Sequence, residues 1–163
     1  MKEKGIDELF EAMQRLRSDG EECVLDIVGE YEEDYSSVIE RYQREGWLNY
    51  YGFQKDVRPF IIKAHCFVLP SWHEGMANTN LEAAAIGRPI ITSDIPGCRE
   101  AVIDGVSGFL CSSKNTDSLQ KTMMKFLYMP FRERTAMGQA GRKHMEDVFD
   151  KKIVVEETIK WLY

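Results

Sequence analysis

No apolar run in the 163 residues approaches the roughly 20 needed to cross a bilayer as a helix, so no membrane-spanning segment is expected. Basic residues are outnumbered, 21 Lys and Arg against 27 Asp and Glu, and the net charge of −6 argues against a nucleic-acid surface and against simple electrostatic docking on anionic lipid. Cysteine is sparse: Cys23, Cys66, Cys98 and Cys111 have no paired spacing, and three fall in or beside apolar strands. Buried, reduced thiols are the expectation, not disulfides. The three histidines, His65, His73 and His144, are scattered, and no Asp-x-Asp occurs, so no metal ligand set is read and metal-independent chemistry is expected. Nucleophile elbow, Walker loop and Cys-x-x-Cys are missing too. The opening Met-Lys-Glu-Lys-Gly carries no apolar leader-like stretch. A cytoplasmic protein is expected, with the inner face of the membrane as a further possibility.

What is there is an ordinary globular composition, 44% hydrophobic and 29% charged, in a length suited to one domain with a real core. The chain is organised around the run from Cys66 to Gly108. Cys66 to Leu69 reads as an apolar strand closed by Pro70 and Ser71, and a loop with Trp72, His73, Glu74 and Gly75 follows. Thr79 and Glu82 have the Thr-x-x-Glu spacing of a capping box, which predicts a helix starting at Thr79 and running through Ala83, Ala84, Ala85 and Ile86. Gly87 stops it and Pro89 prevents its resuming. A second buried strand, Ile90 to Thr92, leads to a turn at Pro96-Gly97. Strand, loop, helix and strand in that order form the unit of a parallel α/β sheet.

The flanks fit that class. Ile6, Leu9, Phe10, Met13 and Leu16 recur at helical spacing over residues 5–18. Val24, Leu25, Ile27 and Val28 read as a buried strand ending at Gly29. A polar helix (35–45), a strand (48–51) and another helix (57–64) follow, and Phe109 and Leu110 make a last short strand. From Thr116 the chain reads as helical, in three segments broken near Pro130 and Asp150, with apolar bulk at Trp161, Leu162 and Tyr163. The expected architecture is a Rossmann-like parallel sheet flanked by helices: an α/β core over 1–115 and C-terminal helices over 116–163.

In such sheets ligands gather beyond the carboxyl ends of the strands, near helix N-termini, which are natural seats for anions. The stretch S-W-H-E-G-M-A-N-T-N-L-E-A-A-A-I-G-R-P-I-I, with G-C-R-E-A-V and D-G-V-S-G-F behind it and K-G-I-D-E-L before it, resembles the signature of family 4 glycosyltransferases. These are retaining enzymes of two Rossmann-like domains (GT-B), and the motif lies in their C-terminal, nucleotide-sugar-binding half. The resemblance covers nearly the whole chain. It implies a nucleotide-sugar donor, UDP rather than GDP by similarity to capsule and lipopolysaccharide enzymes, no cofactor, and a glycan or lipid-linked acceptor held by an N-terminal domain.

Carried over residue by residue, the resemblance gives Glu74 and Lys4 as catalytic candidates: Glu74 at the sugar end and Lys4 as a diphosphate ligand. Lys4 could equally be a loose terminal residue. Glu82 is either a helix cap or the acceptor of hydrogen bonds from the ribose diol. The amides of Gly75, Met76 and Ala77, with the side chains of Asn78 and Thr79, are candidates for diphosphate or sugar, against the plain reading of a helix entry loop. Gly97 would close the same pocket, and the turn Gly52-Phe53-Gln54 is where the base is expected. Glu100 fits the family's Gly-x-x-Glu and reads as structural; Arg58, Arg88 and Arg99 read as surface or packing residues. A glycosidase pair of Glu74 and Glu82 is disfavoured. Eight residues of helix would part them by about 12 Å along the axis and about 80° around it, whereas glycosidase carboxylates face one bond about 5–9.5 Å apart.

The order of elements raises one difficulty. A domain of this kind begins with a strand, and in the order 3-2-1-4-5-6 that strand is central, between 24–28 and 66–69. Here the chain begins at the helix. Two central strands are then expected to lack a neighbour, leaving a fragment that is marginally folded or associates through the gap. A binding-only module, a nucleotide-sugar epimerase and a phosphate-switched signalling domain remain as alternative readings.

Overall fold

The computed structural model describes residues 2–30 and 34–160. After a 3₁₀ turn at Lys2–Lys4 come α1 (Ile6–Ser18), β1 (Leu25–Ile27), α2 (Ser36–Arg44), β2 (Leu48–Tyr50), α3 (Arg58–Lys63), β3 (Phe67–Leu69) and α4 (Asn78–Ala85). Then follow β4 (Ile90–Ser93), a 3₁₀ turn at Arg99–Ala101, β5 (Gly108–Cys111), α5 (Thr116–Leu127), α6 (Phe131–Val148) and α7 (Lys151–Lys160). The α/β class and the helical C-terminal region are as expected.

All strand pairings are parallel, and they fall into two sheets: β1 with β2, and β3-β4-β5 with β4 in the middle. No strand lies between β1 and β3 among the described residues. Exposure follows from this. Central β4 is buried along its whole length, while every residue of end strand β3 is half-buried. The expectation of a buried strand at 24–28 holds only for Ile27, for the same reason. Val24 is exposed, Leu25 and Val28 are half-buried, and Ile27 is buried, since β1 is an end strand with β2 on one side.

Alternation along β4 divides the core. Ile91, with Phe109 and Cys111 of β5, faces the stripe Ile6, Leu9, Phe10, Met13 and Leu16 of α1 and Leu119, Met123 and Phe126 of α5. Ile90 points the other way, to Ile61 of α3, Ala83 and Ala84 of α4 and Met145 of α6. A parallel sheet covered by helices on both faces must be apolar on both, which is why Ile90 and Ile91 are consecutive. Trp47 is buried against Tyr42, with ring centroids 4.2 Å apart, and its indole donates to Glu45 at 2.8 Å.

Local chemistry sets the helix ends. Asn115 caps α5 by accepting from the Ser118 amide at 2.9 Å. Gly87, at φ 83°, closes α4 with amide bonds from Gly87 and Arg88 back to Ala84 and Ala83. The breaks at Pro130 and Asp150 fall where expected. Trp161, Leu162 and Tyr163 lie outside the described residues.

The start of α4 departs from expectation. The helix begins at Asn78 behind Ala77, no side chain caps it, and Thr79 and Glu82 form no capping box. The Ala77 amide instead donates to the Gly97 carbonyl at 2.7 Å. A neighbouring turn fixes this N-terminus, so the hydroxyl is not needed. The side chain that ties α4 down is Asn80, wholly buried, whose amide donates to Thr92 Oγ1 at 3.0 Å; that hydroxyl in turn donates to the Leu69 carbonyl at 2.7 Å. One relay thus joins α4, β4 and β3. Asn80→Ala should lower stability by about 1–3 kcal/mol, whereas Thr79→Ala should cost less than the roughly 1 kcal/mol of a lost cap. Urea midpoints at unchanged slope would check both.

Candidate functional site

Pro70 to Ala77 connects the carboxyl end of β3 to the N-terminus of α4, and contacts from both sides hold it. On one side stands the chain start. Gly5 caps α1 in the left-handed region (φ 72°), and a Cβ there would run into the Pro70 carbonyl. The Trp72 amide donates to the Glu3 carbonyl at 2.8 Å, and the Trp72 indole donates to Glu8 Oε1 at 3.0 Å. On the other side stands Gly97, also left-handed (φ 85°), where a Cβ would strike the Glu74 carbonyl. Residues without a side chain let backbone meet backbone on both flanks.

Within this clamp Glu74 is nearly buried, its side chain 11% exposed, and one carboxylate oxygen accepts from Lys4 Nζ at 2.6 Å and from Ser71 Oγ at 2.8 Å. Lys4 is therefore not loose; it spans the site mouth, half-exposed, as the partner of Glu74. Half-exposed pairs of this kind contribute about 0–1 kcal/mol, so the pair orients more than it stabilises. Lys114, the one non-glycine residue with positive φ (56°) among the described residues, lays its ammonium 4.5 Å from the Trp72 ring centroid and adds a second cation. Beneath lies buried Cys98, whose thiol is pushed up first by burial and further by the Glu74 and Glu100 carboxylates.

The amides of Gly75, Met76 and Thr79 find no acceptor among the described residues, whereas that of Ala77 is taken by Gly97. Of the three amides expected to bind a ligand, two are open. Asn78, Thr79 and Glu82 are exposed on α4, on the opposite side from Asn80, Ala83 and Ala84. The Glu82 carboxylate makes no hydrogen bond or ion pair among the described residues, so capping no longer explains it. Because α4 begins only at Asn78, the spacing of Glu74 and Glu82 is not one of eight helical residues.

The structure therefore brings together Lys4, Glu74, Gly75, Met76, Ala77 and Gly97, with Asn78, Thr79 and Glu82 continuing along α4. The turn Gly52-Phe53-Gln54 stands apart, beyond the carboxyl end of β2. The Gly52 carbonyl accepts from the Gly29 amide at 2.8 Å, Gln54 donates to the Tyr51 carbonyl at 2.8 Å, and Phe53 is 70% exposed. No hydrogen bond joins this turn to the Glu74 cluster among the described residues. Lys114 and the backbone of Glu3 escaped the sequence reading because they act on Trp72 from far along the chain, whereas Ser71 lies only three residues from Glu74 and was missed because no motif marks its hydroxyl. Gly97→Ala would combine a strained φ with a collision at Glu74, and a loss of roughly 1–3 kcal/mol is expected. An unchanged urea midpoint would show that the turn does not bear on the loop.

The family model described as "Glycosyl transferases group 1" matches residues 1–144. An N,N'-diacetylbacillosaminyl-diphospho-undecaprenol alpha-1,3-N-acetylgalactosaminyltransferase of Campylobacter jejuni is 30% identical over 76% of this chain and 32% of its own length. A capsular polysaccharide biosynthesis glycosyltransferase, CapM of Staphylococcus aureus, is 27% identical over 96% of this chain and 42% of its own length. Among solved structures, Anabaena HepE in complex with UDP and glucose superposes with a TM-score of 0.85 at 19% identity, over 99% of this chain and 45% of that one. The chain spans a third to under a half of the proteins it matches.

Proposed function

The chain belongs to the glycosyl transferases group 1, and from that membership we propose that residues 1–163 form the donor-binding domain of a retaining glycosyltransferase. It binds a UDP-sugar and, with an acceptor-binding N-terminal domain, transfers the sugar to a glycan or lipid-linked acceptor in cell-surface polysaccharide synthesis. The observation that carries this reading is the clamped loop: amides at Gly75 and Met76 lie beside the Lys4–Glu74 pair, at the positive end of a helix that presents Glu82, and neither these amides nor Glu82 has a partner among the described residues.

The chemistry assigns each group a task. A diphosphate needs donors and positive charge, and the two amides, the α4 N-terminus and Lys4 supply them without a metal ion. Glu82 has both oxygens available for the ribose diol. Glu74, fixed by Lys4 and Ser71, turns its remaining oxygen to sugar hydroxyls. In transfer with retention, the bond from the anomeric carbon to the diphosphate oxygen breaks, and the acceptor oxygen bonds to that carbon from the same face. Its proton passes to the departing diphosphate. No protein nucleophile is then required, and Lys4 offsets charge on the leaving group. Asn78 and Thr79 add side-chain donors, and the Gly52-Phe53-Gln54 turn reads the base.

The test is thermal unfolding with UDP or GDP. At 100 times its dissociation constant UDP should stabilise by about 2.7 kcal/mol, roughly 5–10 °C for a chain of this size, with a smaller rise from GDP. Glu82→Ala should abolish the rise while keeping the unliganded midpoint, since Glu82 holds nothing in the fold. A cooperative transition that ignores both nucleotides would contradict the proposal.

A further inference from the structure

A second site lies at the other end of the same strands. The Glu74 loop follows the carboxyl end of β3, but a cleft of about 520 Å³ opens where β3 and β4 begin, between the Gly87–Pro89 turn and one face of α6. His65, Arg88, Arg134 and Arg142 line it, and no carboxylate does. In a chain of net charge −6 this is a local reversal of sign.

The arrangement is built into the packing. Arg134 and Arg142 stand four residues before and after Gly138, on the same face of α6 as Phe131 and Gln139. Gly138 presses on the turn so closely that a Cβ there would run into the Gly87 carbonyl and crowd the Pro89 ring. The helix cannot slide without breaking that contact, so the arginines are fixed relative to Arg88. Arg88 is braced by donating to the Ile62 carbonyl, and Arg134 lies over the Phe126 ring at 5.6 Å.

Two of these guanidinium groups are incompletely satisfied. Nε of Arg88 and Nε of Arg134 are both buried without an acceptor among the described residues. A donor removed from water on a charged group is costly to leave unpaired. Arg142 pairs with Glu146 at 3.0 Å along the helix, an exposed contact that an incoming anion can replace at little cost.

We propose that this cleft binds a phosphate group, gripped by Arg134 and Arg142 with Arg88 and His65 closing around it. Planar guanidinium forks suit phosphate oxygens, which accept two parallel bonds from each. The cleft is larger than one phosphate, so the group is carried on a molecule whose remainder meets Phe131 and Gln139. The site is independent of the donor reading, because it shares no residue with the Glu74 cluster.

The experiment follows arginine Nε–H and backbone amide resonances by ¹⁵N NMR during titration with inorganic phosphate at constant ionic strength. Saturable shifts of the Arg88 and Arg134 Nε–H signals in the millimolar range are expected. Arg142→Gln, which leaves Nε of Arg134 and the Gly138 contact in place, should weaken binding at least about tenfold, as loss of a charge-assisted bond requires. Saturating UDP should not displace the phosphate. Co-sedimentation with vesicles of phosphatidic acid in phosphatidylcholine separates the sources: response to free phosphate indicates a soluble ligand, and response to vesicles alone indicates a lipid headgroup. Absence of both, with a dispersed spectrum showing the fold intact, would overturn the proposal, as would equal shifts from chloride.

Discussion

The contact on which the site depends is backbone against backbone, at Gly97. Its left-handed conformation brings the chain after β4 against the Glu74 carbonyl, and its own carbonyl receives the Ala77 amide. Two consequences follow. The N-terminus of α4 is fixed without a side-chain cap, and the amides of Gly75 and Met76 are left without an acceptor among the described residues. A larger residue at 97 would need the loop elsewhere. The opposite flank repeats the solution, with Gly5 against Pro70 and Glu3 bonded to Trp72. The loop is held by the chain start on one side and by the turn after β4 on the other, so the site assembles only when the fold does.

Periodicity made most of the fold legible. The stripe from Ile6 to Leu16 gave α1, the breaks at Pro130 and Asp150 gave the three last helices, and Gly87 marked the end of α4. Pattern does not reveal which neighbours a strand has, and there the reading went astray. Val24 looked like core and is exposed, because burial of β1 depends on a partner that sequence period cannot supply. Capping chemistry failed at Thr79 for a related reason. The Thr-x-x-Glu spacing is a local signal, and a tertiary hydrogen bond from the Ala77 amide to the Gly97 carbonyl overrode it. Asn80, one residue further on, carries the binding of α4 to the sheet, yet nothing local distinguishes it from Asn78.

The candidate site shows the same division. Motif residues Glu74, Gly75, Met76 and Glu82 could be named from order along the chain. That Lys4 reaches Glu74 across 70 positions, and that Ala77 spends its amide on Gly97, required the three-dimensional arrangement. Removing the capping role from Glu82 sharpens its standing: it is an exposed carboxylate of α4 with no hydrogen bond or ion pair among the described residues. The same sheet also separates two kinds of donor cluster. Open amides and a helix end gather at the carboxyl side of β3, and guanidinium groups gather at the amino side.

The most direct test of the account is the backbone amide spectrum of this chain during titration with UDP. The clamped loop predicts saturable shifts centred on the open amides of Gly75, Met76 and Thr79, with smaller changes at Ala77 and Gly97. Saturable shifts located elsewhere, with these amides unmoved, would contradict it.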